Sequence, residues 1–344
     1  MEPRRRTSLL RLVTPGRLLA LGLILLAGLF VLWVYPSNEY IYLPDEAHPV
    51  APLVTVAGAH PPKNHGTIYF VDVIVRKATL LEQLFGGLHA GADLESPSSV
   101  SPPGVTDAQA NEIGLREMKQ SQQIAAAVAV RAAGMKVVTS DTGALITDLV
   151  SGTPAVGKLE PTDVIVGIDG KRVRTLAEVK AAMSTKHIGE AVTFTVRRGA
   201  STVNVHLTTV SAGRGSKRAV VGIFLEQAER IRLPIHVSID AGNGCGPSAG
   251  LAFALDVLEQ LGRNVDHGNR IAATGEIFLN GSVGPIGGIK QKTIGARKTG
   301  VDAFLVPAGE NAQDARKYAG GLRIIPVKSF QQALRALATL PAKP

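Results

Sequence analysis

The sequence predicts an α+β chain of more than one domain, preceded by a single membrane-spanning helix. Three observations predict it. Leu18 to Tyr35 is an unbroken run of apolar residues and glycines, just long enough to cross a bilayer. Ile231, Leu233, Ile235, Val237 and Ile239 alternate with polar residues and Pro234, the period of a half-buried strand. From Leu251 the period changes, and Leu251, Ala254, Leu255, Leu258 and Leu261 share one helical face that Gly262 can end. At 344 residues the chain has room for roughly two or three domains and a sizeable core.

Taken in order, Met1 to Arg17 holds five arginines and one acid, a basic tail (1–17). The apolar span (18–35) follows, with Trp33 and Tyr35 at its far end, where aromatic side chains suit the membrane interface. A cleaved signal peptide is the rival, with Ala20 or Ala27 as small residues, but Tyr35-Pro36-Ser37-Asn38-Glu39 is a poor cleavage site. An uncleaved anchor is therefore expected. The arginines would lie in the cytoplasm and everything after Pro36 outside the membrane.

Pro36 to Pro62 is proline-rich with weak periodicity and predicts a stalk or extended lead-in. Gly66 to Val75 reads as a strand, Thr79 to Leu88 as a short helix, and Ala90 to Val105 as a mobile loop rich in Gly, Ser and Pro. Asp107 to Ala133 reads as a helix. Thr175 with Glu178 three residues on is a capping box that opens a helix through Met183. Strands at Val192–Val196 and Val203–Leu207 join around Arg198-Gly199, and Gly213 to Lys217 is a linker. Val220 to Leu225, Thr299 to Pro307 and Leu322 to Val327 read as strands, and Ser329 caps a final helix with Phe330, Ala333, Leu334 and Leu337 inward.

The chemistry concentrates at Asp240 to Gly250, where strand passes to helix through a glycine-rich turn with one serine, Ser248. A serine there sits among free backbone N–H groups at the positive end of the helix dipole, which suits an oxyanion beside its hydroxyl. By spacing alone, an N-capping serine in a glycine turn is the more common case. A second stretch carries Thr274-Gly275-Glu276 and then Pro285-Ile286-Gly287-Gly288-Ile289-Lys290-Gln291-Lys292. A helix starting near Ile289 puts Lys292 on the inward face with Ile289 and Ala296. Lysine on an apolar face loses hydration, which favours its neutral, basic form.

Gly246-Pro247-Ser248-Ala249-Gly250, Thr274-Gly275-Glu276 and the Gly287 to Lys292 run, in this order, resemble the proteolytic domain of Lon proteases. Met118-Lys119-Gln120-Ser121 and the strand from Gly66 resemble the early helix and first strand of that domain. The resemblance implies Ser248 as nucleophile and Lys292 as general base, with N–H groups near Gly246 and Ser248 holding the oxyanion. It further implies that Thr274 orients Lys292, that Pro247 supports the turn, and that the domains assemble as a homo-oligomeric ring, possibly a hexamer. The sequence departs at Cys245, where many Lon enzymes have an acid three residues before the serine.

Gly143-Ala144-Leu145-Ile146, Val150 to Ala155, Leu159 to Ile165 and Ile168-Asp169-Gly170 resemble a PDZ domain of the bacterial protease type, over 136–210. That likeness implies a small β-rich module with helices, inserted in or preceding the catalytic region. It also implies that Gly143, Ala144, Leu145 and Ile146 offer N–H groups to a peptide C-terminal carboxylate, with an adjacent strand pairing to the peptide. The expected division is then 36–135 for stalk and first protease segment, 136–210 for the PDZ module and 218–340 for the catalytic core.

Other chemistries fit less well. Gly246 to Gly250 matches the serine elbow of α/β-hydrolases, but the sole histidine downstream is His267, nineteen residues on. A trypsin-like serine is missing from the turn, and Leu251 occupies the lysine position of a β-lactamase S-x-x-K pattern. Gly152 to Lys158 is a near P-loop, but Leu159 stands where a magnesium-binding hydroxyl belongs. No Cys/His cluster or H-E-x-x-H motif suggests a metal, so no cofactor is expected. His236 is expected on the polar side of its strand. One cysteine rules out an intramolecular disulfide, and a net charge of +9, partly in the N-terminal tail and without interleaved aromatics, reads as solvated surface, not nucleic-acid binding. The expectation is a single-pass membrane serine endopeptidase, ATP-independent, with its catalytic domain outside, protein or peptide substrates, and bilayer contact through 18–35. A non-catalytic PDZ-based membrane adaptor is the alternative.

Overall fold

The computed structural model describes residues 15–63, 66–100, 107–242 and 246–343. Helix α1 (Pro15–Val34) is the apolar run, with no buried residue along its 20 positions. Strand β1 (Pro36–Pro49) follows where a stalk was expected. Its prolines disguise a strand whose Ser37, Ile41 and Ala47 are buried. Then come β2 (Val54–Val56), β3 (Thr67–Thr79) and α2 (Leu80–Leu84), which is shorter than predicted. Thr79 and Glu82 form a capping box at its start, and Gly86-Gly87 follow its last turn. Strand β4 (Asp93–Glu95) and α3 (Pro97–Val100) occupy much of the stretch expected as a mobile loop. Tyr40, Ile41 and Tyr42 of β1 pair with β4, which is the ladder that orders it. Helix α4 (Asp107–Ala132) is as predicted.

The chain divides into two compact units. One comprises Met1–Leu43 and Ile74–Val100; the other comprises Pro44–Val73 and Ser101–Pro344. In the first, of which residues 1–14 lie outside the described part together with most of the basic tail, Glu82 is buried and takes a two-pronged hydrogen bond from Arg76 (2.6 and 2.9 Å) and one from His89 (2.7 Å).

The second unit holds two layered assemblies. One is a β-rich module: β5 (Val138–Leu149), β6 (Val164–Ile168), β7 (Lys171–Arg172), α5 (Leu176–Ser184), β8 (Ala191–Arg198), β9 (Ser201–Thr208), the short pair β10 (Val210–Ser211) and β11 (Ala219–Val220), and β12 (Ile223–Arg232). The antiparallel order is β12-β5-β6-β8-β9, with β7 on β6. Ile146, Ile165, Phe194 and Leu207 form its core with Val179 of α5. Thr175 caps α5 through the predicted box. Strand β12 had been assigned to the catalytic region, but it completes this sheet: Leu225 lies opposite Ile146 and Glu226 opposite Leu145.

The other assembly follows: β13 (Val237–Ile239), α6 (Gly250–Gln260), β14 (Arg270–Ala273), β15 (Glu276–Ile277), β16 (Val283–Gly284), α7 (Ile289–Thr299), β17 (Ala303–Pro307), α8 (Glu310–Tyr318), β18 (Arg323–Val327) and α9 (Phe330–Leu337). Strands β3, β14, β17 and β18 lie parallel in that neighbour order. Both faces are covered, so the strands read as apolar runs instead of alternating. Ile271, Ala273 and Leu305 face α4, α6 and α9, whereas Ala272, Phe304 and Val306 face α7 and α8. Helix α6 is buried on all sides from Gly250 to Glu259, not on one face as its period suggested. The predicted strand from Ile231 to Ile239 is broken: β12 ends at Arg232 and only Val237–Ile239 pairs, with β2. Pro234 has no N–H to give a ladder.

Candidate active site

The serine turn is built from its neighbours. Gly246 is extended, Pro247–Ala249 makes one tight helical turn, and α6 begins at Gly250. Ser248 is thereby held half-buried at the head of a buried helix. The turn is clamped from three sides. Ser121 of α4, itself buried, donates to the carbonyl of Pro247 (3.1 Å). The Ser248 carbonyl accepts from the Gly275 N–H (2.7 Å) and from Thr274 Oγ1 (3.2 Å). A Cβ at Gly250 would press on Ile277 Cγ2 and Ser121 Oγ and one of them would have to shift. The expected Cys245 departure lies outside the described residues.

Helix α7 starts after Gly288, which takes a left-handed conformation at φ 67°. It lies tight on the chain at Asp45, whose carbonyl occupies the place a side chain at position 295 would need. This seats Lys292 inward, 3 % exposed, between Ile289 and Ala296 as its spacing predicted. Its Nζ lies 2.7 Å from Ser248 Oγ and donates to the carbonyl of Val71 on β3 at 2.9 Å. Asp72, the next residue, has its carboxyl pushed up by burial, an effect that the nearby Lys292 charge partly offsets.

The structure therefore brings together Ser248, Lys292, Gly246, Pro247 and Thr274, with one change of role. The Thr274 hydroxyl donates to the Ser248 carbonyl, so Thr274 braces the backbone of the serine turn; among the described residues Lys292 Nζ bonds the Val71 carbonyl and Ser248 Oγ. Val71 and Ser121 lie in stretches that the resemblance covers, the strand from Gly66 and the Met118–Ser121 run, but no role at the site was expected of either. His236 is exposed on the broken segment, and its carbonyl accepts from Ala57 N–H.

Beside Pro247 lies a cavity of about 310 Å³, lined by Ile124, Ile277 and Phe278 and by Glu117, Glu226 and Glu276. Burial pushes the Glu276 carboxyl above its usual range, and the Glu226 charge adds to it. Glu117 is raised by burial and by Glu276. Glu276 thus has acidic neighbours in Glu117 and Glu226.

The peptide-carboxylate loop expected at Gly143, Ala144, Leu145 and Ile146 is not a loop. These residues are the middle of β5, with β12 on one side and β6 on the other. The Ile146 N–H already bonds the Asp163 carbonyl at 2.8 Å. The open groove of the module lies elsewhere, a cavity of about 540 Å³ between α5 and the start of the edge strand β12. Val179, Met183, Phe194 and Ile223 line it, and Lys217 and Arg218 stand at one end. Gly222 opens β12 at φ 85°, and a Cβ there would strike Thr153. The available signal was Val221-Gly222-Ile223, a glycine leading straight into a strand pattern behind a basic linker.

A lysine amine held on a serine hydroxyl at the head of a buried helix is the arrangement that nucleophilic catalysis by a Ser–Lys pair requires. Comparison with known proteins narrows this. Residues 201–339 match the Lon protease (S16) C-terminal proteolytic domain, and residues 132–209 match the PDZ domain. Lon protease 2 of Bacillus subtilis (strain 168) is 38% identical over 108 residues, covering 31% of this chain and 19% of that protein. The Lon protease of Chloroflexus aggregans is 37% identical over 139 residues, covering 39% and 16%. The matched part of the chain thus spans less than a fifth of either relative. Among solved structures, the PDZ domain of an SdrC-like protein from Listeria monocytogenes is similar at 23% identity and a TM-score of 0.24, covering 26% of this chain and 93% of that domain. The chain thus carries one stretch similar to the proteolytic domain of Lon proteases and another similar to a PDZ domain.

Proposed function

We propose that this chain is a membrane-anchored endopeptidase that cleaves unfolded protein or peptide segments with the Ser248–Lys292 dyad, without ATP. The observation that carries the reading is the 2.7 Å contact between Lys292 Nζ and Ser248 Oγ, made by a buried lysine. Neutral Lys292 takes the serine proton as Oγ attacks the scissile carbonyl, and the Val71 carbonyl keeps the amine aimed at Oγ. The N–H groups at Gly246 and Ser248 and the head of α6 face the charge that develops on the tetrahedral oxygen. The lysine ammonium then protonates the departing amine, leaving an acyl-serine that water hydrolyses with Lys292 again as base. Helix α1, 20 residues long and apolar, supports the anchor, and the arginine-rich tail supports placement of the catalytic part on the far side of the membrane. Resemblance to Lon supports a homo-oligomeric ring. The proposed division remains 36–135 for lead-in and first protease segment, 136–210 for the PDZ module and 218–340 for the core, with β12 shared structurally by the module.

The purified full-length chain in detergent should degrade an unfolded protein at a rate that added ATP leaves unchanged. A clear dependence on ATP would assign the energy step to a partner ATPase and remove the ATP-independent reading.

For the PDZ module, a substrate C-terminus would lie along the free edge of β12 as an added strand, its last side chain among Val179, Met183 and Phe194 and its carboxylate by the Lys217–Gly222 turn. Amidating the C-terminus of such an apolar-ended peptide should weaken binding by about tenfold or more, the scale of one charge-assisted hydrogen bond. Titration of both peptides checks it; equal affinity would make the module a reader of internal segments or a spacer.

A further inference from the structure

The first unit carries an apolar surface that the dyad does not account for. Leu84, Phe85 and Leu88, at the end of α2 and just beyond it, are 65%, 57% and 52% exposed. That is the exposure of the apolar residues of α1 itself, such as Phe30 at 60% and Trp33 at 64%. The position of this surface is set by a backbone contact. The N–H of Leu80, first residue of α2, donates to the carbonyl of Tyr35, the residue directly after α1, at 3.0 Å. Helices α1 and α2 pack together beyond that bond. A 20-residue helix is about 30 Å long, the thickness of the hydrocarbon core, so Trp33 and Tyr35 fall at the interface where α1 emerges. Whatever is tied to Tyr35 lies at the same level.

The charges of the segment are arranged to suit. Its one acid, Glu82, is turned inward, 5% exposed, and paired with Arg76 and His89. The Arg76 guanidinium stays on the outside, its side chain 42% exposed, and the His89 side chain is 45% exposed. The outer surface is an apolar tip with the Arg76 guanidinium beside it and the segment's own acid withdrawn, the pattern of an element lying in the interfacial layer of a bilayer.

We infer that the segment from Leu80 to Leu88 is a second membrane-contacting element, with Leu84, Phe85 and Leu88 inserted in the interfacial layer of the leaflet where α1 emerges. This rests on the reading of α1 as an anchor. Its consequence is two-point attachment: the first unit cannot swing freely about Tyr35.

The test uses the full chain, with Cys245→Ser, in vesicles of phosphatidylcholine and phosphatidylglycerol. A fluorophore is placed on Gln83→Cys, an exposed neighbour that leaves the apolar tip intact, on Leu25→Cys within α1, or on exposed Ser201→Cys of the other unit as a control. Lipids brominated near the headgroup should quench the Gln83→Cys label several-fold more than the Ser201→Cys label. Leu84→Ser, Phe85→Ser and Leu88→Ser together should bring that quenching down to the control level. Lipids brominated deep in the chain should quench Leu25→Cys in both backgrounds. A quenched Leu25→Cys with an unquenched Gln83→Cys overturns the inference and leaves the anchor standing; this holds whether the Gln83→Cys label reports water or a second copy of the chain covering it. An unquenched Leu25→Cys removes the anchor and the inference together.

Discussion

Ser248→Ala should abolish cleavage of an unfolded protein, by a factor on the order of 10⁴ to 10⁶, the scale on which a serine nucleophile's removal is felt. The fold should be unaffected for a local reason. What holds position 248 in place are hydrogen bonds to its backbone carbonyl, from Gly275 N–H and Thr274 Oγ1, and both survive the loss of Oγ. Lys292 keeps its bond to the Val71 carbonyl. The variant should therefore give the same circular dichroism, thermal midpoint within a few degrees and elution volume as the parent, with no turnover and no labelling by a serine-reactive phosphonate. Turnover above about one per cent of the parent would point to another nucleophile or to a contaminating protease.

Lys292→Arg should be as inactive as Lys292→Ala, a loss of about 10³-fold or more, because a guanidinium keeps its proton throughout the accessible pH range and cannot act as the base. The buried pocket between Ile289 and Ala296 also has to take a larger head group, so some loss of stability should accompany the loss of activity. The sign of the pH dependence follows from the role. The reactive form is the neutral amine, whose fraction grows with pH, so kcat/KM of the parent should rise as pH increases and level off, and neither variant should show that limb. Measuring kcat/KM against pH for all three proteins checks it. A near-normal arginine variant would reduce Lys292 to electrostatic support and demand another base. His236, the candidate the sequence offers, is exposed and away from this pocket's burial, so it would be a weak replacement.

Glycines and capping residues show how local signals carried over. Thr175 and Ser329 cap the helices that follow them, and Gly288 and Gly300 bound α7 in left-handed conformations. Each motif acts within a few residues of itself, so its geometry is set by the chain segment that contains it. Lys292 was legible for that reason, since three- and four-residue spacing alone puts it on the face of Ile289 and Ala296. Pro234 is a local signal of the opposite kind: it has no N–H for a ladder, and the strand that alternation predicts is interrupted around it.

The sequence by itself determined the apolar span, the serine at a strand-to-helix turn and the inward lysine, because each depends on periodicity, propensity and turn chemistry over short stretches. Tertiary structure alone decided the partners. Val71 aims the lysine through a backbone carbonyl, an atom every residue has, so no side-chain pattern announces it. Thr274 serves the Ser248 carbonyl, Ser121 reaches Pro247 across 126 positions, and β12 joins β5, which closes Gly143–Ile146 and leaves the groove at α5 open. Which strand takes an edge and which hydroxyl meets which carbonyl follow from long-range packing of the sheets and helices, and one-dimensional periodicity does not encode that register.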